Sequence, residues 1–411
     1  MKKNIIILSF LCFCFRTTLF ACTSAIISGS VTPDGRPILW KHHDNEKMLN
    51  RKIIVLNDGK YQVVAVVNYT YQDKTGGVLA GYNSAGFAII DTDTGNLPAS
   101  DTIMIKNNSS IFMKEALLNC ATVDEFEAFL SKYSKTLKFR ANLGVIDANG
   151  NGAYFETNGF KYTRYDVNDP TVAPNGYLIR TNYSFSGIKG KGHGYIRYNT
   201  AEKLFNEASK NKNLSLSFLL ENVCLSLENS LTGQTLSDYI LLHENTDNYI
   251  YFQECINRYS TAASTVVHGV KKGESPAYTT MWAIMGFPLT SVPIPVWLTP
   301  SGKLPAIVTG KYKQHAKISD LAIQLKALTL SPLGGRETKY FINTTKIANA
   351  EGAGISQQLA PLRKKVFSAG EVLRKKLGSK KQDEKEILLF YDWIDKYIID
   401  EYKKIKITQS L

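Results

Sequence analysis

Among the residue types that can do covalent chemistry, Cys22 has the most telling surroundings. It follows Leu19-Phe20-Ala21 and opens the apolar run Cys-Thr-Ser-Ala-Ile-Ile. If the chain is cut after Ala21, Cys22 carries a thiol and a free α-amine on one residue. A free thiol has a pKa near ~8.5 and an α-amine near ~8, so the amine can take the thiol proton at neutral pH. Nucleophile and base then sit together, and no histidine is required. The same residues admit a second reading. Leu-Phe-Ala-Cys approximates a lipobox, in which Cys22 would be consumed as a lipid thioether. Phe20 is large for that motif, and the chain after Cys22 enters an apolar strand pattern at once instead of a polar tether.

The segment before Cys22 reads as an export signal, residues 1–21. Lys2 and Lys3 form a basic start, Ile5 to Phe15 an apolar stretch of the right length, and Ala21 a small residue at the cut. Cleavage there predicts a periplasmic or extracellular protein; the lipobox reading predicts one anchored through Cys22. Cys12 and Cys14 leave with the signal, and Cys120, Cys224 and Cys255 remain beside Cys22. They are too sparse for a disulfide framework. Cys120 and Cys224 each end an apolar helical pattern, which predicts core packing.

Four blocks, in order, resemble a known family. "CTSAIISGSVTPDGRPILWKHHDNE" is similar to the start of the N-terminal nucleophile (Ntn) hydrolases that act on linear amides. These are the choloylglycine hydrolases and the acyl-coenzyme A:6-aminopenicillanic acid acyltransferase group. "GYNSAGFAI", "RTNYSF" and "GYIRYNTAEKLF" resemble three later blocks of the same family. The resemblance spans Cys22 to about Phe205. It implies an α+β fold, the Ntn-hydrolase αββα four-layer sandwich of two antiparallel sheets. It implies Cys22 as nucleophile, Asp44 beside its amine, Asn83 as the oxyanion-hole amide, Asn182 near the nucleophile and Arg197 beside the thiol. Lys41 stands where the family usually has arginine; it keeps the charge and loses the planar fork.

The chemistry these types would perform is consistent. An oxyanion wants preorganised donors, which Asn83 would supply. Asp44 would hold and stabilise the protonated amine, as a carboxylate does for histidine in a triad. Arg197 would favour the thiolate. The expected activity is a secreted amidohydrolase working through an acyl-enzyme on a small N-acyl amide. The alternatives are an acyltransferase using the same site and a lipidated binding module.

The elements that must position these residues can be read coarsely. Residues 22–311 form the expected catalytic domain, strand-rich to about Tyr183. Thr32 to Gly35 and Asn57-Asp58-Gly59 mark hairpin turns, and Asn83 to Gly86 a third. Helices are expected at Ile111 to Cys120, Thr122 to Tyr133, Tyr195 to Lys210 and Leu214 to Glu228, and Thr122 with Glu125 fits a capping box. Residues 312–411 read as mainly helical and packed on the catalytic domain. His42 and His43 alternate in an extended run and should face opposite ways, in surface or packing roles. "GKGHG", Gly190 to Gly194, lacks the rest of a phosphate loop and reads as a flexible loop flanking the site.

The formal charge is +13, and residues 312–411 carry 19 Lys+Arg against 11 Asp+Glu. The "RKK" runs at Arg363 and Arg374 suggest a basic helical face, either solvated or touching an anionic surface. No nucleic-acid motif accompanies it. No H-E-x-x-H or C-x-x-C occurs, so neither metal nor cofactor is expected. Past the N-terminus, no apolar run approaches the roughly 20 residues that span a bilayer.

Overall fold

The computed structural model describes residues 21–73, 75–98, 109–133, 137–242, 246–379 and 384–406. All but the last residue of the expected export signal lie outside them. The chain opens with β1 (Cys22–Ile27) and β2 (Ile38–Asp44). It continues through β3 (Arg51–Leu56), β4 (Val63–Asn68), β5 (Ala80–Asn83), β6 (Ala88–Asp93), α1 (Ser109–Asn119) and α2 (Val123–Tyr133). Next come β7 (Ala141–Ile146), β8 (Gly152–Thr157), β9 (Tyr162–Asp166), β10 (Tyr177–Arg180) and α3 (Tyr195–Lys210). After α4 (Leu216–Phe218), a π-helical turn (Leu219–Val223) and α5 (Leu236–Leu242) the chain returns to strands. These are β11 (Tyr249–Tyr251), β12 (Thr261–His268), β13 (Thr280–Met285) and β14 (Pro293–Val296). The last part holds α6 (Lys317–Thr329), β15 (Phe341–Asn343), α7 (Thr344–Ile347), α8 (Ile355–Ser379) and α9 (Glu384–Tyr402).

Two antiparallel sheets are stacked. One has the order β10-β1-β2-β12-β13-β14; the other is a meander, β3 through β9 in sequence order. Side-chain alternation assigns the faces. Ile26, Leu39, Val267 and Ala283 of the first sheet meet Val64, Tyr82, Ile90 and Tyr154 of the second. On the meander's far face, Ala65, Ile89 and Val145 pack under Leu117 of α1 and Phe126 and Leu130 of α2. On the far face of the six-stranded sheet, Ala25, Trp40 and Val266 pack under Ala201 and Phe205 of α3. The result is the expected α+β, αββα four-layer sandwich. A fully buried Arg180–Glu156 pair at 2.6 Å also ties the sheets together.

Several local expectations hold. β3 and β4 pair from Leu56↔Val63, with Asn57-Asp58-Gly59 in the connecting loop. Thr122 Oγ1 accepts the Glu125 N–H at 3.1 Å, while the Glu125 carboxylate accepts the Ala121 N–H. The two prolines of β14 lie on a sheet edge, where a missing N–H costs no ladder bond. One expectation fails. The helix expected at Leu214 to Glu228 stops in the π turn, where Cys224 N–H reaches back to Leu219 O. The C-terminal part, expected to be mainly helical, also contains the short strand β15, which pairs with β11. That partner lies about ninety residues away in sequence, so local pattern gives no sign of it.

The two "RKK" runs split by residue. The lysines at 364, 365, 375 and 376 are exposed, whereas Arg363 and Arg374 are buried. Arg363 donates to the Pro288, Leu289, Ser291 and Ser356 carbonyls and to Ser356 Oγ, fastening α8 to the turn between β13 and β14. Gly370 brings α8 close to the sheet: a Cβ there would sit 2.7 Å from the Trp282 ring. No helix among the described residues is long and apolar enough to cross a membrane.

Candidate active site at the start of the first strand

β1 lies inside the six-stranded sheet, so Cys22 is flanked by backbone on both sides. β2 places His43 opposite Cys22, and β10 pairs Arg180 with Ser24. Continuing the second register by two residues sets Asn182 against Cys22. There the Cys22 N–H donates to Asn182 Oδ1 at 3.0 Å. The same oxygen accepts from Arg197 Nη2 at 2.7 Å, and Asn182 Nδ2 donates to the Asp93 carbonyl at 3.0 Å. Arg197 Nη1 donates to the Cys22 carbonyl at 2.6 Å and to Thr23 Oγ1 at 2.9 Å. The first turn of α3 thus clamps the strand's start. Gly194, at φ +87°, precedes that turn, and a Cβ on it would lie 2.5 Å from Arg197 Nη2. The 190–194 loop therefore flanks the site, as expected, and its last glycine makes room for the clamp.

Strand parity turns the Cys22 thiol toward the space between the sheets, together with Ser24 and Ile26 of its own strand and Lys41 and His43 of β2. Lys41 Nζ donates to Asp91 Oδ1 at 2.6 Å and to the Leu79 carbonyl at 2.9 Å, and Ser109 Oγ donates to the other Asp91 oxygen at 2.7 Å. Position 41 thus carries a point charge already paired with an aspartate. Burial pushes the thiol up to about 11; Lys41 and a hydrogen bond from the Asp44 N–H pull it down, while the Asp44 and Asp91 charges push it up. His43 faces the same space beside Arg51 Nε at 3.4 Å, and burial holds its pKa well below the ordinary value.

Asp44 and His42 occupy the opposite face of β2, under α3. Asp44 is 1% exposed; its Oδ1 accepts from Thr261 Oγ1 at 2.8 Å and its Oδ2 lies 4.0 Å from Arg258 Nε. Burial raises its pKa to about 6, against the pull of Arg258, Arg197, the Thr261 hydroxyl and Lys326. Burial and the same three cations hold His42 down to about 3, so it is neutral. Both histidines are therefore buried, on opposite faces as the alternation requires, and neither lies on the surface. Beside the Cys22 amide is a cavity of about 80 Å³ lined by Ala21, Asn182, His193, Gly194, Arg197, Glu254 and Arg258. Among the described residues, no group of three or more His, Cys, Asp or Glu is placed to hold a metal. Cys120, Cys224 and Cys255 are buried and free.

Cys22, Asn182, Arg197, Asp44 and Lys41 are thus brought together, and Asn83 is not. Its Nδ2 donates to the Leu117 and Cys120 carbonyls, both at 2.7 Å, and its Oδ1 accepts from Ala85 and Phe87 N–H, both at 3.1 Å. On β5, Ala80 and Tyr82 face the other sheet, so Asn83 faces the outer helices and caps the end of α1. The expectation that it supplies the oxyanion hole is corrected on that ground. Sequence reasoning also missed Asp91, Thr261, Arg258 and Lys326. Of these only Lys326 leaves a trace: it falls on the buried stripe Ile318, Ala322, Lys326, Thr329 of α6, where a charge is out of place.

The architecture is that of a four-layer α+β sandwich with a buried polar centre around the first strand's cysteine. No protein-family model matches the chain, and no curated protein does. Among solved structures it is similar to a variant of a conjugated bile acid hydrolase from Clostridium perfringens: 12% identity, 67% of this chain, 92% of that chain, TM-score 0.39. It is also similar to a penicillin V acylase from Agrobacterium tumefaciens: 13% identity, 68% and 86% of the two chains, TM-score 0.37. A third is an N-acylethanolamine-hydrolyzing acid amidase ortholog from Caenorhabditis elegans: 18% identity, 62% and 93%, TM-score 0.38.

Proposed function

We propose that the chain is an exported amidohydrolase that becomes active when cleavage after Ala21 turns the Cys22 amide into an amine. The observation that carries this is the Asn182 Oδ1 contact on the Cys22 nitrogen, itself clamped by Arg197. The acceptor that serves this buried N–H would, after cleavage, hold the amine in one orientation, because Arg197 and the Asp93 carbonyl fix the Asn182 side chain. The nearby Arg197 cation disfavours an ammonium and Asp44 favours it. The amine takes the thiol proton, and the thiolate attacks the carbonyl carbon of an N-acyl amide. The C–N bond breaks as the ammonium returns its proton to the leaving amine, leaving a thioester. Water, deprotonated by the same amine, then releases the carboxylic acid. A second amine in place of water would make the protein an acyltransferase.

Burial of the Cys22 side chain between two sheets argues against lipidation, because a thioether-linked lipid would have to leave the core. The test is the intact mass of the exported protein together with labelling by an electrophilic amide analogue. A mass beginning at unmodified Cys22, with labelling lost in Cys22→Ser, is expected. An added diacylglycerol, or equal labelling of the variant, sinks the reading. The substrate is expected among small N-acyl amides, found by amine release from a panel. The exposed lysines of α8 offer a peripheral contact for anionic surfaces, read by salt-sensitive sedimentation with anionic vesicles.

A further inference from the structure

From the helical region after residue 312, one buried side chain reaches toward Asp44. Lys326 of α6 is buried, and its Nζ donates to the Tyr259 carbonyl at 2.5 Å and lies 3.5 Å from the Thr261 carbonyl. Its ammonium also sits over the Tyr259 and Phe287 rings, at 5.1 and 4.6 Å. The turn it grips is closed on itself: Arg258 N–H donates to Thr261 Oγ1 and Thr261 N–H to the Arg258 carbonyl, both at 3.0 Å. The β12 register breaks here, between Thr261 and Ala263. That irregularity aims the Thr261 hydroxyl at Asp44 and sets Arg258 beside its second oxygen.

Burying a lysine in this way is costly unless its charge is compensated. Its two acceptors are neutral carbonyls. The charged or titratable groups around Asp44 are Arg197 from α3, Arg258 from the turn, Lys326 from α6 and His42 from its own strand, with Glu254 beside the two arginines and the Cys22 thiol on the other face of the sheet. Asp44 thus sits in a nest of cations, held by a turn that Lys326 fixes.

Building on the amidohydrolase reading, we infer that Lys326 is a positioning residue for the Cys22 centre. Through the 258–261 turn it orients Thr261 and Arg258 on Asp44, and its charge keeps Asp44 ionised so that Asp44 can stabilise the Cys22 ammonium–thiolate pair. The C-terminal helical region is then part of the catalytic machinery. Burial brings the Lys326 pKa down to about 7, so this support operates on the acid side of neutrality.

The experiment is alkylation of the processed protein by iodoacetamide from about pH 5 to pH 8, with Cys22→Ser as the blank for Cys120, Cys224 and Cys255. Removing a cation raises the Asp44 pKa, so Lys326→Met should move the acid limb of the rate profile up by about one pH unit. The variant should react about tenfold more slowly at pH 5 and at the wild-type rate at pH 8. A merely structural role would lower the rate by one factor at every pH, and that result, or superimposed profiles, overturns the inference. If Lys326→Met does not melt cooperatively, Thr261→Val decides the matter in the same assay, with a shift in the same direction and at least as large expected, because its hydroxyl donates directly to Asp44. A wild-type Cys22 silent at every pH overturns the amidohydrolase reading itself, and the inference falls with it.

Discussion

Two asparagine corners of this molecule look alike in sequence and end in different places. Asn83 and Asn182 both lie at or just beyond the end of a strand, both precede a glycine-containing loop, and both are buried with their amides engaged. Asn182 continues β10 and lies against the first residue of β1, so its carbonyl oxygen receives the Cys22 N–H and the Arg197 guanidinium. Asn83 ends β5 on the outward face, and its amide is spent on the last carbonyls of α1 and its own turn. The lesson is one of parity. A buried amide must find partners wherever it sits, so hydrogen bonding alone does not mark a catalytic asparagine. The face of the strand decides which partners the amide meets.

The comparison can be broken at several points. The strongest is the residue that Asn182 serves: Cys22→Ala should abolish amine release from N-acyl amides while the melting curve stays cooperative. Retained turnover would remove the reason for treating the Asn182 corner as special. Next, Asn182→Ala should cut turnover by about 10²-fold, because the amine loses its orienting acceptor. Its melting temperature should move less than that of the Asn83 variant, and the reverse ranking would invert the assignment.

Asp44 gives a pH signature that the Asn83 corner lacks. Its carboxyl titrates near 6, and the carboxylate is the form that supports the ammonium, so turnover should fall as the pH drops below about 6. Asp44→Asn should be slow and lose that limb. Stability runs the other way. A carboxyl whose folded pKa is raised above its unfolded value stabilises the fold at low pH and loses that contribution as pH rises through about 6. Asp44→Asn should therefore flatten the melting temperature between about pH 4 and 6.

The smallest effect on chemistry is expected at the other corner. Asn83→Ala strands two carbonyls and two N–H groups, and should cost about 3 kcal/mol of stability in denaturant titration. Turnover per folded molecule should match wild type. A catalytic loss as large as that of Asn182→Ala would restore Asn83 to the site.

Much of the fold was legible because its determinants are local. Alternating apolar residues flanking Asn57-Asp58-Gly59 make a hairpin wherever they occur, and Thr122 with Glu125 caps a helix from within one turn. The blocks around Cys22, Lys41, Asp44, Asn182 and Arg197 pointed to one place because adjacent antiparallel strands bring their ends together. The pairing of β11 with β15 was not legible, since it joins residues about ninety positions apart. Nor were the buried arginines inside two runs that read as surface charge.

By itself, then, the sequence determined the candidate nucleophile, the alternating strands that bury it and the residue types around it. Tertiary structure decided which of those types meet. It sent Asn83 to a helix end and neutralised Lys41 with Asp91. It also carried Lys326 across the domain to the turn that holds Asp44. The reason is physical: a strand's pattern fixes which side chains share a face, but only the stacking of sheets and helices decides what each face confronts. Buried charges take their pKa and their partners from that confrontation.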